Sequence, residues 1–211
     1  GLRYGVSESK EKYWLNWREE NPAYRDGIDS RDARYLGDAP GLGPLDTALL
    51  RLCAKDRFLE MIHNFLVYDA GAKKTCRHNQ YFGVRAAQDQ IRRREGGIIW
   101  HTQGSGKSLT MVWLAQWIRE NVSDSRVVVI TDRTELDKQI TRVFNDAEEP
   151  MERATSGADL IDKLNKHEIP LISSLVHKFG TRDEGDLGEY LDDIQKHLPK
   201  NFKAKGNIFV F

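Results

Sequence analysis

Short apolar runs in the second half of the chain predict the strands of a sheet. Four of them stand between turn-forming residues, at positions 98–100, 126–131, 169–175 and 207–211. Short apolar runs without regular polar alternation are typical of strands that are buried on both faces. We therefore expect a mostly parallel sheet that is covered by helices.

The segments around these runs have helical spacing. Residues 107–121 present a wide apolar face, and we expect its Trp113 and Trp117 in the core rather than stacked on bases. Apolar residues also recur at helical intervals in 45–67, which predicts one or two amphipathic helices. Residues 1–44 are polar and rich in turn formers, so we expect an irregular connecting segment there.

Polar residues mark the expected starts of the later helices. Thr134 to Asp137 have the spacing of a cap before one helix, and Ser156 with Asp159 before the next. A further helix is predicted at 187–198, where apolar residues again recur at helical intervals. Strands and helices that alternate in this way predict an α/β fold.

Composition narrows the classes of protein that fit this pattern. The 211 residues carry 32 basic and 32 acidic side chains, so any contact with nucleic acid must come from local patches. No apolar run approaches the roughly 18 residues of a membrane span, and no signal peptide is visible. Cys53 and Cys76, the two cysteines, fit no metal motif. We therefore expect a cytoplasmic protein with free thiols and, because the chain begins with Gly1, a natural start further upstream.

The strongest chemical signal is a glycine-rich loop at 101–108, which reads His-Thr-Gln-Gly-Ser-Gly-Lys-Ser. The phosphate-loop consensus is a glycine, four variable residues and then Gly-Lys-Ser/Thr, and this loop departs from it only at His101. A strand is predicted before the loop and an apolar helix after it, which is the arrangement that the motif requires. The alternative is a glycine turn that happens to precede Lys and Ser, and this context argues against it.

Each part of the loop fits the binding of ATP with Mg²⁺. Gly104 and Gly106 allow the backbone to curl until its N–H groups point at phosphate oxygens. Lys107 can reach the β- and γ-phosphates, and the Ser108 hydroxyl can hold Mg²⁺. The predicted nucleotide-binding residues of the loop are Thr102, Gln103, Gly104, Ser105, Gly106, Lys107 and Ser108.

The loop and the strand after it resemble the motor (R) subunit of type I restriction enzymes. The string at 97–111 is similar to that family's motif I, in which a Trp-His-Thr-Gln lead-in replaces the first glycine, and 127–140 is similar to motif Ia. Weaker likenesses lie at 78–84, the glutamine motif, at 57–65, the helix before it, and at 171–179, the region of motif Ib. The matches run in the family's order over most of the chain.

This resemblance implies a RecA-like P-loop NTPase lobe with a mostly parallel sheet, preceded by an irregular and helical linker. Residues 1–70 would be the linker that follows a nuclease domain, and 71–211 the first of two motor lobes. The intact subunit would work with methylase and specificity subunits as an ATP-dependent type I site-specific deoxyribonuclease that translocates DNA. The family's catalytic Asp-Glu-x-His motif would follow the strand at 207–211, so we expect no catalytic acids in this fragment and almost no hydrolysis by it alone.

Four residues outside the loop are further candidates for binding. Gln80 could read the adenine edge, because its amide donates and accepts at once, and a surface glutamine in a loop is the alternative. The resemblance places Thr131, Arg133 and Lys178 where such motors grip a DNA backbone, and a capping loop with a solvated arginine is the alternative for the first two. Seven basic side chains at 73–94 could track phosphates, but we expect a solvated face or a contact with an acidic domain instead.

Two other functions fit the same loop. A stand-alone superfamily-two helicase would unwind a forked duplex, whereas a restriction motor would track along duplex DNA without separating its strands. A nucleotide-binding switch or scaffold would bind ATP without any response to DNA. A kinase fits less well, because neither a phosphoacceptor site nor a lid can be recognised.

Overall fold

The computed structural model of the chain describes residues 2–18, 43–166, 168–175, 198, 202 and 205–211. The chain divides into two compact units, Gly1–Trp113 and Leu114–Phe211. The predicted boundary between linker and lobe, at residues 70 and 71, falls inside the first of these units and stays a prediction.

The first unit begins with short elements. Strands β1 (Arg3–Tyr4) and β2 (Leu15–Asn16) pair in antiparallel fashion, with a single 3-10 turn at Glu11–Tyr13 between them. The described part of the segment at 1–44 is therefore more regular than the turn formers predicted. Residues 19–42 of that segment lie outside the described ones.

Two helices and a hairpin follow. Helices α1 (Pro44–Leu52) and α2 (Lys55–Asn64) confirm the amphipathic helices predicted at 45–67. The prediction extended too far, because strands β3 (Leu66–Asp69) and β4 (Ala72–Thr75) form an antiparallel hairpin immediately afterwards. Its two turn residues, Ala70 and Gly71, both have positive φ, as the favoured two-residue hairpin turn demands.

The two longest helices of the described chain lie on either side of the glycine-rich loop. Helix α4 (Lys107–Asn121) has the bounds predicted from the apolar spacing, and its Trp113 and Trp117 are buried as expected. Helix α3 (His78–Arg93) was not predicted, because its sequence is polar and carries Gly83 in its interior. A glycine there costs about 1 kcal/mol relative to alanine.

Aromatic packing fixes helix α3 relative to the start of helix α4. The ring centroid of Phe65 lies 5.0 Å from that of Tyr81 and 5.9 Å from that of Trp113. Glu60 of helix α2 accepts hydrogen bonds from the Tyr81 hydroxyl at 2.7 Å and from Arg85 at 2.9 Å. The loop between the two helices is therefore held at both ends by a packed framework.

The strand predicted at 98–100 is wrong. The structure gives these residues no strand, and the side chains of Ile98 and Trp100 are 88% and 89% exposed. A strand is stable only where a neighbouring strand takes up its backbone hydrogen bonds. Within the described residues no backbone pairs with this run, so its apolar composition alone does not make it a strand.

A four-stranded parallel sheet forms the centre of the second unit. Its strands are β5 (Ser125–Thr131), β6 (Glu152–Arg153), β7 (Leu171–Leu175) and β8 (Asn207–Val210), in the order β6-β7-β5-β8. Every neighbouring pair is parallel. The predicted α/β fold with a parallel sheet is confirmed, although the two-residue strand β6 was not predicted.

Two helices of this unit begin in different ways. Helix α6 (Gly157–Leu164) is capped as predicted, since the Ser156 Oγ accepts from the Asp159 backbone N–H at 3.1 Å. Helix α5 (Thr134–Asp146) is not capped by Thr134, because its cap position is Arg133, which makes no side-chain cap bond. The Asp137 carboxylate is instead fully buried and lies 2.5 Å from the Arg153 guanidinium. A buried carboxylate without a charged partner is strongly destabilising, so the Arg153 guanidinium is the partner that this burial requires.

A buried arginine joins the sheet to the end of helix α6. Arg126 of strand β5 is 1% exposed. Its guanidinium donates to the backbone carbonyls of Lys163 at 2.5 Å, Leu164 at 2.5 Å and Ile169 at 3.2 Å. Burial lowers its pKa, and Asp124 acts in the opposite direction. The charge is placed at the negative end of a helix, where a cation is most favourable.

Two further findings complete the fold. The helix predicted at 187–198 falls almost wholly outside the described residues. Among the residues that the structure does describe, no helix combines the length and the apolar character that crossing a bilayer requires.

Candidate nucleotide-binding site

The loop at 101–108 has a backbone that curls on two glycines. Gly104 and Gly106 have φ values of 75° and 85°, a region that favours glycine. The backbone N–H of Ser105 donates to the carbonyl of Thr102 at 3.3 Å, which closes the turn. Helix α4 begins immediately after it, at Lys107, so the first N–H groups of that helix have no partner from the helix itself. Such a turn at a helix start is suited to bind an anion.

Lys107 lies over its own loop. Its exposed Nζ donates to the carbonyls of His101 at 3.1 Å and Thr102 at 3.0 Å. Both acceptors are neutral, and a phosphate oxygen is a stronger acceptor for an ammonium group because the bond is then assisted by two charges. The lysine is thus held at the loop by bonds that a phosphate group can replace.

Two serines complete the loop. The Ser105 hydroxyl is buried and has no hydrogen-bond partner among the described residues. Ser108 is half-buried in the first turn of helix α4. A buried hydroxyl without a partner, in a turn of N–H groups beside a lysine, is an arrangement that fits a phosphate and its cation.

Gln80 contacts the loop from helix α3. Its side chain is 3% exposed, so the alternative of a surface glutamine in a loop is wrong. Its Oε1 accepts from the Arg77 backbone N–H at 2.8 Å, and its Nε2 donates to the Gly106 carbonyl at 2.8 Å. A Cβ at Gly106 would collide with this amide, which is a second reason for glycine there. One N–H of the Gln80 amide remains for another acceptor.

His101, which replaces the first consensus glycine, packs its imidazole beside Gly83 of helix α3. Burial lowers its pKa, the Asn79 backbone raises it, and the nearby Lys107 ammonium lowers it again. The net direction is downward, which favours the neutral ring. Sequence reasoning identified His101 only as a departure from the consensus and missed Gly83, whose signal was a glycine inside a helix.

Two of the three residues predicted to contact DNA, Thr131 and Arg133, lie in the second unit. Thr131 ends strand β5 with its side-chain hydroxyl buried and without a hydrogen-bond partner in the described part of the chain. The Arg133 side chain is 77% exposed and lies 3.5 Å from the Asp132 carboxylate. Lys178 lies outside the described residues.

Several side chains of the basic run at 73–94 have acidic partners within the chain. The pairs are Lys74 with Asp69, Arg85 with Glu60, Arg92 with Asp89 and Arg93 with Glu95. The expectation of a solvated face or a contact with an acidic domain stays a prediction.

Residues 98–100, directly before the loop, form no strand, so the strand that the motif normally has at this place is missing from the described residues. A glycine-rich loop that ends in Lys-Ser at the start of a helix, in a chain with a parallel sheet, still indicates an α/β P-loop nucleotide-binding protein. Residues 79–211 match the family model described as the SWI2/SNF2 ATPase. The match covers more than half of the chain, and the protein belongs to that family. An ATPase domain of this family implies nucleotide binding.

Individual relatives agree with the resemblance found in the motifs. A Methanocaldococcus jannaschii protein provisionally named the type I restriction enzyme MjaIXP endonuclease subunit is 30% identical over 161 residues, which cover 71% of this chain and 15% of the relative. The type I restriction enzyme HindI endonuclease subunit of Haemophilus influenzae is 28% identical over 136 residues, which cover 58% of this chain and 13% of the relative. The type I restriction enzyme SauMSSORF170P endonuclease subunit of Staphylococcus aureus is 27% identical over 133 residues, which cover 62% of this chain and 13% of the relative.

The resemblance to type I restriction endonuclease subunits is therefore confirmed, over a limited part of those proteins. The aligned part of the chain spans only 13–15% of the length of these relatives.

Proposed function

We propose that this chain is the ATP-binding part of the motor subunit of a type I restriction endonuclease, which translocates and cleaves DNA using ATP. The observation that carries the proposal is the loop at 101–108, in which Lys107 is held at the start of helix α4 by replaceable bonds to two carbonyls. The family match and the names of the relatives support the choice of this motor among P-loop proteins.

The proposed nucleotide site divides its roles among the loop residues. The backbone from Thr102 through Gly106 would surround the phosphates, Lys107 would bind the β- and γ-phosphates, and the Ser108 hydroxyl would hold Mg²⁺. Bound Mg²⁺ supplies charge that offsets the charge of the phosphates. Gln80 would hold the Gly106 carbonyl with one amide N–H and have the other for the adenine edge.

The proposed DNA contacts are Thr131, Arg133 and Lys178. The exposure of Arg133 supports its role, because a guanidinium that remains accessible can bind a phosphate. The Thr131 hydroxyl is buried in the described part of the chain, so Thr131 would have to become accessible before it could contact a phosphate. The partners of the whole protein would be DNA and the methylase and specificity subunits of a cytoplasmic restriction complex.

Nucleotide binding is tested by titrating the 211-residue chain with a fluorescent ATP analogue in the presence of Mg²⁺. Lys107→Ala removes a charge-assisted contact, so the dissociation constant is expected to rise roughly 10- to 150-fold. Lys138→Ala on helix α5 removes the same charge from an exposed position and is expected to leave binding unchanged. Equal affinities for the Lys107 variant and the unmodified chain would show that this loop does not bind phosphate.

The motor proposal needs the complete subunit together with methylase and specificity subunits. Lys107→Ala is expected to abolish ATP-driven displacement of a third strand from a DNA triplex, and with it DNA cleavage. The unmodified complex should displace the third strand and leave a forked duplex paired. Unwinding of the fork would favour the stand-alone helicase, and ATP binding that is unaffected by DNA would favour the scaffold.

A further inference from the structure

Gly83 occupies a position where glycine needs a reason. It lies in the interior of helix α3 and does not have the positive φ that would demand glycine. Alanine at an ordinary helical position stabilises the helix by about 1 kcal/mol relative to glycine. The local backbone therefore favours alanine at this position, and the explanation has to come from what the position faces.

The position faces the side chain of His101. A Cβ at Gly83 would stand 3.2 Å from the His101 Nε2 and 3.3 Å from its Cε1, with Ile99 Cγ2 at 3.7 Å. The first two distances are shorter than a methyl group normally keeps from a ring, so the imidazole would have to move. The His101 Nδ1 is buried and has no hydrogen-bond partner among the described residues, so protein atoms cover that side of the ring.

The same helix also holds the other end of the loop. Gln80 precedes Gly83 by three residues, which places both on one face of helix α3. Gln80 holds Gly106, the residue before Lys107, while Gly83 faces His101, the first residue of the loop. One face of helix α3 therefore contacts the phosphate loop near both of its ends, at His101 and at Gly106.

We infer that His101 is a positioning residue for nucleotide binding, and that position 83 requires glycine because any larger side chain would displace the His101 imidazole. The loop lacks the first consensus glycine, and the ring in its place anchors the loop to helix α3. The His101 carbonyl accepts from the Lys107 Nζ at 3.1 Å, so a displaced ring shifts a group that orients the lysine. This inference rests on the proposed nucleotide binding and adds a positioning pair to it.

The test is a set of four variants of the full chain titrated with the fluorescent ATP analogue and Mg²⁺. Gly83→Ala is expected to weaken binding roughly tenfold, a size typical of coupled neighbouring residues. His101→Gly restores the consensus glycine and removes the ring, so adding Gly83→Ala to it is expected to have no further effect. Gly96→Ala is the matched control, because a Cβ there meets nothing within 4 Å. Circular dichroism should show that helix content is retained in each variant.

The outcomes separate this inference from the proposed function. The inference is supported if Gly83→Ala weakens binding in the natural background and is neutral in the His101→Gly background. It is overturned if Gly83→Ala binds like the unmodified chain, or if its effect is the same in both backgrounds, since the loss would then not pass through the imidazole. Lys107→Ala reports on nucleotide binding by itself, so a failure of the proposed function is seen independently. If Gly83→Ala lost its fold, His101→Ala would decide by itself, because loss of the ring should weaken binding while helix content is retained, and unchanged binding by His101→Ala would overturn the inference.

Discussion

Replacing Arg126 by methionine is a sharp test of how the second unit is held together. The guanidinium, 1% exposed, donates to three carbonyls at the end of helix α6 and beyond it. Methionine fills a similar volume and keeps the apolar stem, but it donates nothing. The substitution therefore isolates the hydrogen bonds and the charge from the packing of the side chain.

The size of the effect follows from two opposing terms. Each bond to a charged donor contributes about 1.5–3 kcal/mol, so losing three of them costs on the order of 4–9 kcal/mol. Removing a buried charge returns the several kcal/mol that its desolvation costs. The Lys163 carbonyl also accepts from the Lys166 N–H at 3.2 Å, and the Leu164 carbonyl from the Lys205 N–H at 3.5 Å, so these two carbonyls keep a donor after the substitution. We expect the loss of three charge-assisted bonds to exceed the recovered desolvation energy, with a net destabilisation of about 2–4 kcal/mol.

Urea unfolding followed by circular dichroism measures this difference. Arg142→Met is the matched control: its guanidinium is 80% exposed and pairs with Asp146 one helical turn away, an interaction that contributes about 0.5 kcal/mol or less. Arg126→Lys should be intermediate, because an ammonium group cannot span carbonyls on the helix end and the following loop as a planar fork does. The reasoning would be refuted if the free energies of unfolding of Arg126→Met and Arg142→Met differed by less than about 0.5 kcal/mol, which is on the order of an exposed pair's contribution.

Two further predictions concern Gln80 and Asp159. Gln80→Ala removes the donor to the Gly106 carbonyl and the second N–H proposed for the adenine edge, so competition titrations should show weaker binding of both nucleotides and a larger loss for ATP than for GTP; an equal loss for both would refute the adenine role. The Asp159 pKa is lowered from the usual 3.8 to about 2, first by Lys163 and then by the Thr155 backbone N–H. A lowered carboxyl pKa stabilises the fold above pH 3.8 and loses that effect as the pH falls through about 2. Thermal unfolding of Asp159→Asn should therefore differ from the unmodified chain at pH 7 and converge with it toward pH 2, and a difference that did not change with pH would refute this assignment.

The sequence predicted best those elements whose cause is local. Strand β5 and helix α4 follow from their own apolar spacing, and the loop between helices α3 and α4 follows from its own glycines. Ser156 was also predicted correctly, because a cap is satisfied by the residue three positions later.

The wrong or missing predictions concern residues whose partners are distant in the sequence. Asp137 looked like part of a cap, but its partner is Arg153, sixteen positions further on and invisible to a local pattern. Helix α3 was missed because Gly83 reads as a helix breaker, and the ring that explains it belongs to His101. The run at 98–100 was read as a strand from its composition, although strand formation depends on a partner that composition does not reveal.

The strand order β6-β7-β5-β8 also determines when, during synthesis of the chain, each strand of the sheet can find its partner. Strand β5 pairs with β7 through Val127 and Leu171, but on its other side it pairs with β8 through Ser125 and Asn207, roughly 80 residues later. At a synthesis rate of about 5–20 residues per second, one edge of β5 leaves the ribosome about 4–16 s before its partner is made. During that interval its unpaired backbone can recruit a strand from another nascent chain. Aggregation during synthesis is therefore a hazard that the order of the strands creates, whatever the final stability of the sheet.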